Sequence, residues 1–129
     1  MLKRILLCDD EVHILRAAEF KLKRAGYDVQ TAGDGQEAWE AIEVQKPDIL
    51  ITDCQMPRLD GIGLVRRLRE HAETRDLPVL MLTAKGFELS HEDLTEELGI
   101  VAVIAKPFSP RELRQRVDAV LQTDEATSR

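Results

Sequence analysis

Four short runs of this 129-residue chain are apolar without a break: "ILLC" (5–8), "ILI" (49–51), "VLML" (79–82) and "VAVIA" (101–105). A strand with one wet face alternates polar and apolar residues. An unbroken apolar run bounded by polar residues instead fits a parallel strand covered on both faces. A fifth run, "YDVQTA", alternates Tyr27, Val29 and Thr31 with Asp28 and Gln30, and so belongs at a sheet edge.

The segments between these runs carry helical periodicity. Residues 11–25 place Val12, Leu15, Ala18 and Leu22 on one face, and Gly26 is a C-terminal stop. Asp34-Gly35 opens a second helix with Ala38, Trp39 and Ile42 inward, and Asp60-Gly61 a third with Leu64, Val65 and Leu68 inward. Ser90, with Asp93 three residues on, is the expected N-cap of a fourth helix packed by Leu94 and Leu98. Ser109-Pro110, with Glu112 three residues after the serine, opens a fifth lined by Leu113, Val117 and Val120. Five β-α units give an α/β fold, a five-stranded parallel, doubly wound sheet with five helices and right-handed crossovers. Ligands of such sheets bind beyond the C-terminal ends of the strands.

Composition agrees with one globular domain: 43% hydrophobic and 33% charged residues, with room for a sizeable core. The net charge of -6 argues against a nucleic-acid surface spread over the whole molecule. Cys8 and Cys54 form neither a disulfide framework nor a zinc-type pair, which points to a reducing, cytoplasmic setting. No stretch approaches the roughly 18 apolar residues that span a bilayer, so no membrane association is expected. The tail at 123–129 is small and polar.

The expected strand ends hold the chemistry. Strand one ends in Asp9, Asp10 and Glu11, strand three in Asp53, strand four in Thr83, and strand five in Lys106. Neighbouring strands lie about 4.8 Å apart, so these groups converge. Each has a local reading alone, as a helix cap, a loop acid or a solvated charge. Together they form a site. Clustered carboxylates raise one another's pKa unless a cation joins them, and hard oxygen ligands favour Mg²⁺ or Mn²⁺. A carboxylate can also take a phosphoryl group as a nucleophile, while a metal, a lysine and a hydroxyl neutralise the transferring oxygens. Pro57 holds Met56 extended, which turns a backbone carbonyl near Gln55 toward such a metal.

"DDE" after strand one, "DCQMPRLDG" after strand three, "TA" after strand four and "KPF" after strand five resemble the receiver domain of two-component response regulators, of the chemotaxis, stand-alone type. The resemblance covers about residues 3–122, with a receiver domain expected over 1–122. It implies the flavodoxin-like strand order 2-1-3-4-5 and a phosphorylation-dependent switch that catalyses only its own phosphorylation and dephosphorylation. Asp53 is then the phosphoacceptor. Asp10, Asp53 and the Gln55 carbonyl coordinate Mg²⁺ (or Mn²⁺), and Asp9 acts through water. Thr83 senses the phosphoryl group, Lys106 pairs with it, and Gln55 and Lys85 tune its lifetime. A histidine kinase or histidine phosphotransfer protein is the implied donor. A downstream protein is implied to dock on the fourth helix, fifth strand and fifth helix, with no direct nucleic-acid contact.

Many receivers carry an aromatic switch residue three positions before the lysine; here that position is Val103. Val101, Val103 and Ala105 are expected to offer a partner an apolar edge, and Arg111, Arg114 and Arg116 a basic helix face. A haloacid-dehalogenase-type phosphatase would need a DxD pattern after strand one, where Glu11 stands two after Asp9. A flavodoxin-like or dinucleotide-binding module would need a Gly- or Ser/Thr-rich phosphate loop there, where three acids repel phosphate. A receiver-like protein-binding module that is not phosphorylated is the remaining alternative. The sequence leaves open both a stand-alone protein and a piece of a longer chain.

Overall fold

The computed structural model describes residues 2–84 and 96–127, with side chains in the last helix described as far as residue 122. Five parallel strands, β1 (Arg4–Cys8), β2 (Asp28–Ala32), β3 (Ile49–Asp53), β4 (Val79–Thr83) and β5 (Ala102–Ala105), form one sheet in the order β2-β1-β3-β4-β5. Four helices are described: α1 (Val12–Arg24), α2 (Gly35–Val44), α3 (Gly61–Arg69) and α4 (Pro110–Thr127). The helix expected to start at Ser90 lies outside the described residues, apart from a helical turn at 96–98.

Alternate residues of each inner strand feed two separate cores. Leu6, Cys8, Leu50, Val79 and Met81 join Ala38, Ile42, Leu64, Val65 and Leu68 of α2 and α3 on one face. Ile5, Leu7, Ile49, Ile51, Leu80 and Leu82 join Ala18, Leu22, Leu113 and Val117 of α1 and α4 on the other. This is why the runs are apolar without a break: both faces of the pleat are covered. Each Val, Leu, Ile or Met among them contributes about 1.5–3 kcal/mol by leaving water. The edge strand β2 buries Val29 and exposes Asp28 and Gln30, as its alternation requires; Ala32, on the same face as Asp28 and Gln30, is buried in the other core.

The caps follow the sequence. Asp34 accepts from Glu37 N at 2.8 Å, Asp60 from Gly63 N at 2.7 Å and Ser109 from Glu112 N at 3.0 Å. Two details differ. Val12, expected inward, is exposed, because it shares a stripe with Arg16 and Phe20 on the solvent side of α1. The last helix continues to Thr127, through most of the segment expected as a polar tail; its Asp124, Glu125 and Ala126 contain no helix breaker.

An arginine clamp absent from the sequence reading closes the end of the sheet opposite the strand C-termini. Arg69, at the end of α3, donates to the carbonyls of Leu98 (2.6 Å), Leu77 (2.8 Å) and Arg75 (2.9 Å). Burial pulls its guanidinium below the usual arginine range, with Asp76 opposing.

The chain reverses tightly after β3. Gly61 N donates to the Cys54 carbonyl at 2.9 Å. A Cβ at Gly61 would stand 2.1 Å from the Asp53 carbonyl oxygen. Gly61→Ala is therefore expected to cost roughly 2–3 kcal/mol through backbone displacement, read as a lower urea midpoint. Gly33→Ala, whose Cβ would meet nothing nearer than Glu37 Oε2 at 3.5 Å, is the control and should shift stability by under about 1 kcal/mol.

Candidate functional site

The register brings the acids together. Cys8 pairs with Thr52 across β1 and β3, Asp53 with Leu82 across β3 and β4, and Thr83 with Ala105 across β4 and β5. The next residues, Asp9 and Lys106, therefore emerge beside Asp53 and Thr83. Carboxylate oxygens of Asp9, Asp10 and Asp53 lie within 4.8 Å of one another. Asp9 and Asp53 are buried and Asp10 is exposed, so the cluster is open on one side.

Lys106 reaches into this cluster from the end of β5. Its Nζ lies 2.8 Å from Asp9 Oδ2, 3.2 Å from Asp53 Oδ2 and 3.9 Å from Glu11 Oε2. Burial alone would pull the ammonium down, but the carboxylates of Asp9 and Asp53 hold it above the usual lysine value. The peptide bond after it, Lys106–Pro107, is cis. Burial, and next the charge of Asp9, push the Asp53 carboxyl up; Lys106 and the Gln55 backbone N–H oppose them.

The other oxygen of Asp9, Oδ1, accepts from Glu11 N at 2.9 Å at the start of α1. This is an Asx turn just before the helix rather than a cap, since it takes up no first-turn N–H, and the N-cap residue Glu11 makes no side-chain cap bond either. Thr83 is buried, and its hydroxyl meets the Ala84 carbonyl at 3.4 Å, long for a hydroxyl donor. That hydroxyl can turn toward a better acceptor.

The donor set suits a hard divalent cation. All three ligand candidates are carboxylates. Asp9 and Asp53 share one ammonium and Asp10 adds a third carboxylate, so the acids outnumber the cation. Asp9 Oδ2 is buried and within ion-pair distance of Lys106, yet has no hydrogen-bond donor aligned on it. Gln55 is exposed in the loop after Asp53. Lys85 lies outside the described residues. Val103 is half-buried against the core on the α2–α3 face, while Val101 (50% exposed) and Ala105 are exposed. Arg111, Arg114 and Arg116 are all exposed on α4.

The two thiols flank the acids without joining them. Cys8 Sγ donates to the Asp34 carbonyl and touches Met56 Sδ, both at 3.2 Å. Burial pushes the Cys8 thiol up to about 12 and Cys54 to about 11.

A family model described as the response regulator receiver domain matches residues 5–118. The chain belongs to the response regulator receiver domain family. Its members are phosphorylation-dependent switches that interact with histidine kinases or phosphotransfer proteins and bind Mg²⁺ at an acidic pocket. Among curated relatives, the alkaline phosphatase synthesis transcriptional regulatory protein PhoP of Bacillus subtilis is 45% identical over 97% of this chain and 51% of its own length. The chain thus spans about half the length of that relative. Among solved structures, the chemotaxis response regulator CheY4 of Vibrio cholerae matches with a TM-score of 0.84 and 28% identity, over 93% of this chain and 99% of that one. The receiver domain of the sensor histidine kinase PA1611 from Pseudomonas aeruginosa, with a magnesium ion in its active-site cleft, matches with a TM-score of 0.81 and 30% identity, over 92% of this chain and 97% of that one.

Among the described residues, no helix is long and apolar enough to cross a membrane. Arg58 was missed by the sequence reading. Its guanidinium holds Asp34 at 2.9 and 3.1 Å, a partner 24 positions away that no local pattern announces.

The raised pKa of Asp53 fixes the sign of a stability effect. The folded protein holds the Asp53 proton more tightly than the unfolded chain, so its charge becomes a liability as pH rises above the ordinary carboxylate range. Metal-free Asp53→Asn is expected to melt above the native protein at pH 7. The gap should close toward pH 3, where both side chains are neutral. Thermal melts in chelator across that range read it; a gap independent of pH would contradict the assignment.

Proposed function

We propose that this receiver accepts a phosphoryl group on Asp53 from a histidine kinase or histidine phosphotransfer protein. The observation that carries the reading is the buried Asp53 carboxylate, 3.2 Å from the Lys106 ammonium and clustered with Asp9 and Asp10.

The carboxylate oxygen of Asp53 attacks the phosphorus of the donor phosphohistidine. The new O–P bond forms as the P–N bond breaks, and the imidazole leaves. Asp10, Asp53 and the Gln55 backbone carbonyl would hold Mg²⁺ (or Mn²⁺), with Asp9 acting through water. That ion, when bound, supplies positive charge for the phosphoryl oxygens. Lys106 has a stationary role: its ammonium, shared between Asp9 and Asp53, is already placed to pair with a phosphoryl oxygen. Thr83 turns its weakly held hydroxyl to a second one. Gln55 and Lys85 tune the lifetime of the acyl phosphate. The chain catalyses only its own phosphorylation and dephosphorylation, and it works in the cytoplasm.

Intact-mass measurement after treatment with a small phosphodonor and Mg²⁺ tests the reading. One phosphoryl group should be gained by the native chain and none by Asp53→Asn. No gain in either would favour a binding module that is not phosphorylated, and phosphoester turnover dependent on Asp9 a phosphatase.

The downstream partner docks on the edge formed by β5, α4 and the segment expected as the fourth helix. Val101 and Ala105 are its apolar contacts, and Val103 couples them to the core. Val103→Asp should reduce partner binding or self-association at least tenfold, measured by sedimentation or titration calorimetry. Unchanged association would remove this surface from consideration.

A further inference from the structure

The loop joining Asp53 to α3 is fixed firmly at its ends. Cys54 N donates to the Leu82 carbonyl at 2.8 Å, and the Cys54 carbonyl accepts from Gly61 N. Asp60 caps α3 through Gly63 N. Between these points the chain makes its sharpest reversal at Arg58, whose φ is 67° while Leu59 N donates to the Pro57 carbonyl at 2.8 Å. A hydrogen bond across a single residue at positive φ is the strained form of the γ-turn. A non-glycine residue stays there only where its surroundings over-determine it.

The surroundings are the loop after β2. Arg58 Nε and Nη2 donate to the two oxygens of Asp34 as a fork. Asp34 is itself tied to two further elements. Its Oδ1 caps α2, and its carbonyl accepts the Cys8 thiol one residue before Asp9. The two loops touch directly, since a Cβ at Gly35 would stand 1.9 Å from the Leu59 carbonyl oxygen. Met56 meets the same Cys8 sulfur at 3.2 Å. Gln55, whose backbone N–H reaches the Asp53 carboxylate, sits in the span that these contacts define.

We propose that Arg58, through its forked bond to Asp34, is a positioning residue that holds the loop after Asp53 in its cation-binding shape and thereby sets the divalent-cation affinity of the acidic pocket. This rests on the reading of Asp9, Asp10 and Asp53 as a cation site. The Arg58 charge is spent on Asp34 rather than on the pocket, so it acts through backbone geometry. An exposed ion pair alone contributes little stability. The expected signature is therefore a large change in cation affinity beside a small change in melting temperature.

The experiment titrates Mn²⁺ alone, with free ion read by electron paramagnetic resonance. It compares native protein, Arg58→Ala, Asp34→Ser (serine keeps a helix cap) and the double variant, each with a melt in chelator. Both single variants should bind Mn²⁺ on the order of tenfold more weakly, as for supporting partners of metal ligands. The double variant should be no weaker than either single, because one interaction is lost in all three. Arg58→Lys, which keeps the charge but loses the fork, should restore little. Single-variant affinities within twofold of native, or losses that multiply in the double variant, would overturn the inference while leaving the cation site intact. A native protein that takes up no Mn²⁺ would overturn the cation-site reading and this inference with it.

Discussion

Three carboxylates within 4.8 Å of one another at the end of a buried sheet are tolerable only because a half-buried ammonium sits against two of them. Lys106 lies 2.8 Å from Asp9 and 3.2 Å from Asp53, so the two buried acids are held by a charge from a different strand. The arrangement needs β1, β3, β4 and β5 in their observed order and register, since a one-residue slip would send a strand-end side chain to the opposite face. It also needs both faces covered, because an open sheet would let water screen the pair. Fold and site therefore share one requirement.

One ammonium does not balance three acids, and the excess is what makes the pocket receptive. Burial and Asp9 hold the Asp53 carboxyl above its ordinary range. This is a familiar compromise at functional sites, where a perturbed group is kept in place by a scaffold that is stable elsewhere. Here the two apolar cores supply that stability.

Much of this was legible in the sequence because it depends on short-range rules. Uninterrupted apolar runs marked β1, β3, β4 and β5, and alternation marked β2. Asp34, Asp60 and Ser109 announced helix starts. The convergence of Asp9, Asp10, Asp53, Thr83 and Lys106 is legible because each lies at, or within two residues of, a strand's C-terminal end. Features set by long-range packing were not legible. Arg69 looks like any basic residue near a helix end, and its carbonyl partners belong to two other segments. Arg58 sits among turn residues, and neither its positive φ nor its distant partner follows from "MPRL". Val12 was placed inward by periodicity, yet at the first position of α1 it lies on the exposed stripe.

The two cysteines beside the acids bear on which ions the pocket can take. Thiols held at about 12 and about 11 are almost wholly protonated at neutral pH, with a thiolate fraction on the order of 10⁻⁴ or less. The ligand cluster itself holds only carboxylates, and the Cys8 thiol is turned away from it to the Asp34 carbonyl, so a soft ion, which would gain most from sulfur, meets no sulfur ligand in that arrangement. The pocket thus presents hard oxygen alone. The apolar packing that turns the thiols aside is therefore what keeps the ligand set hard.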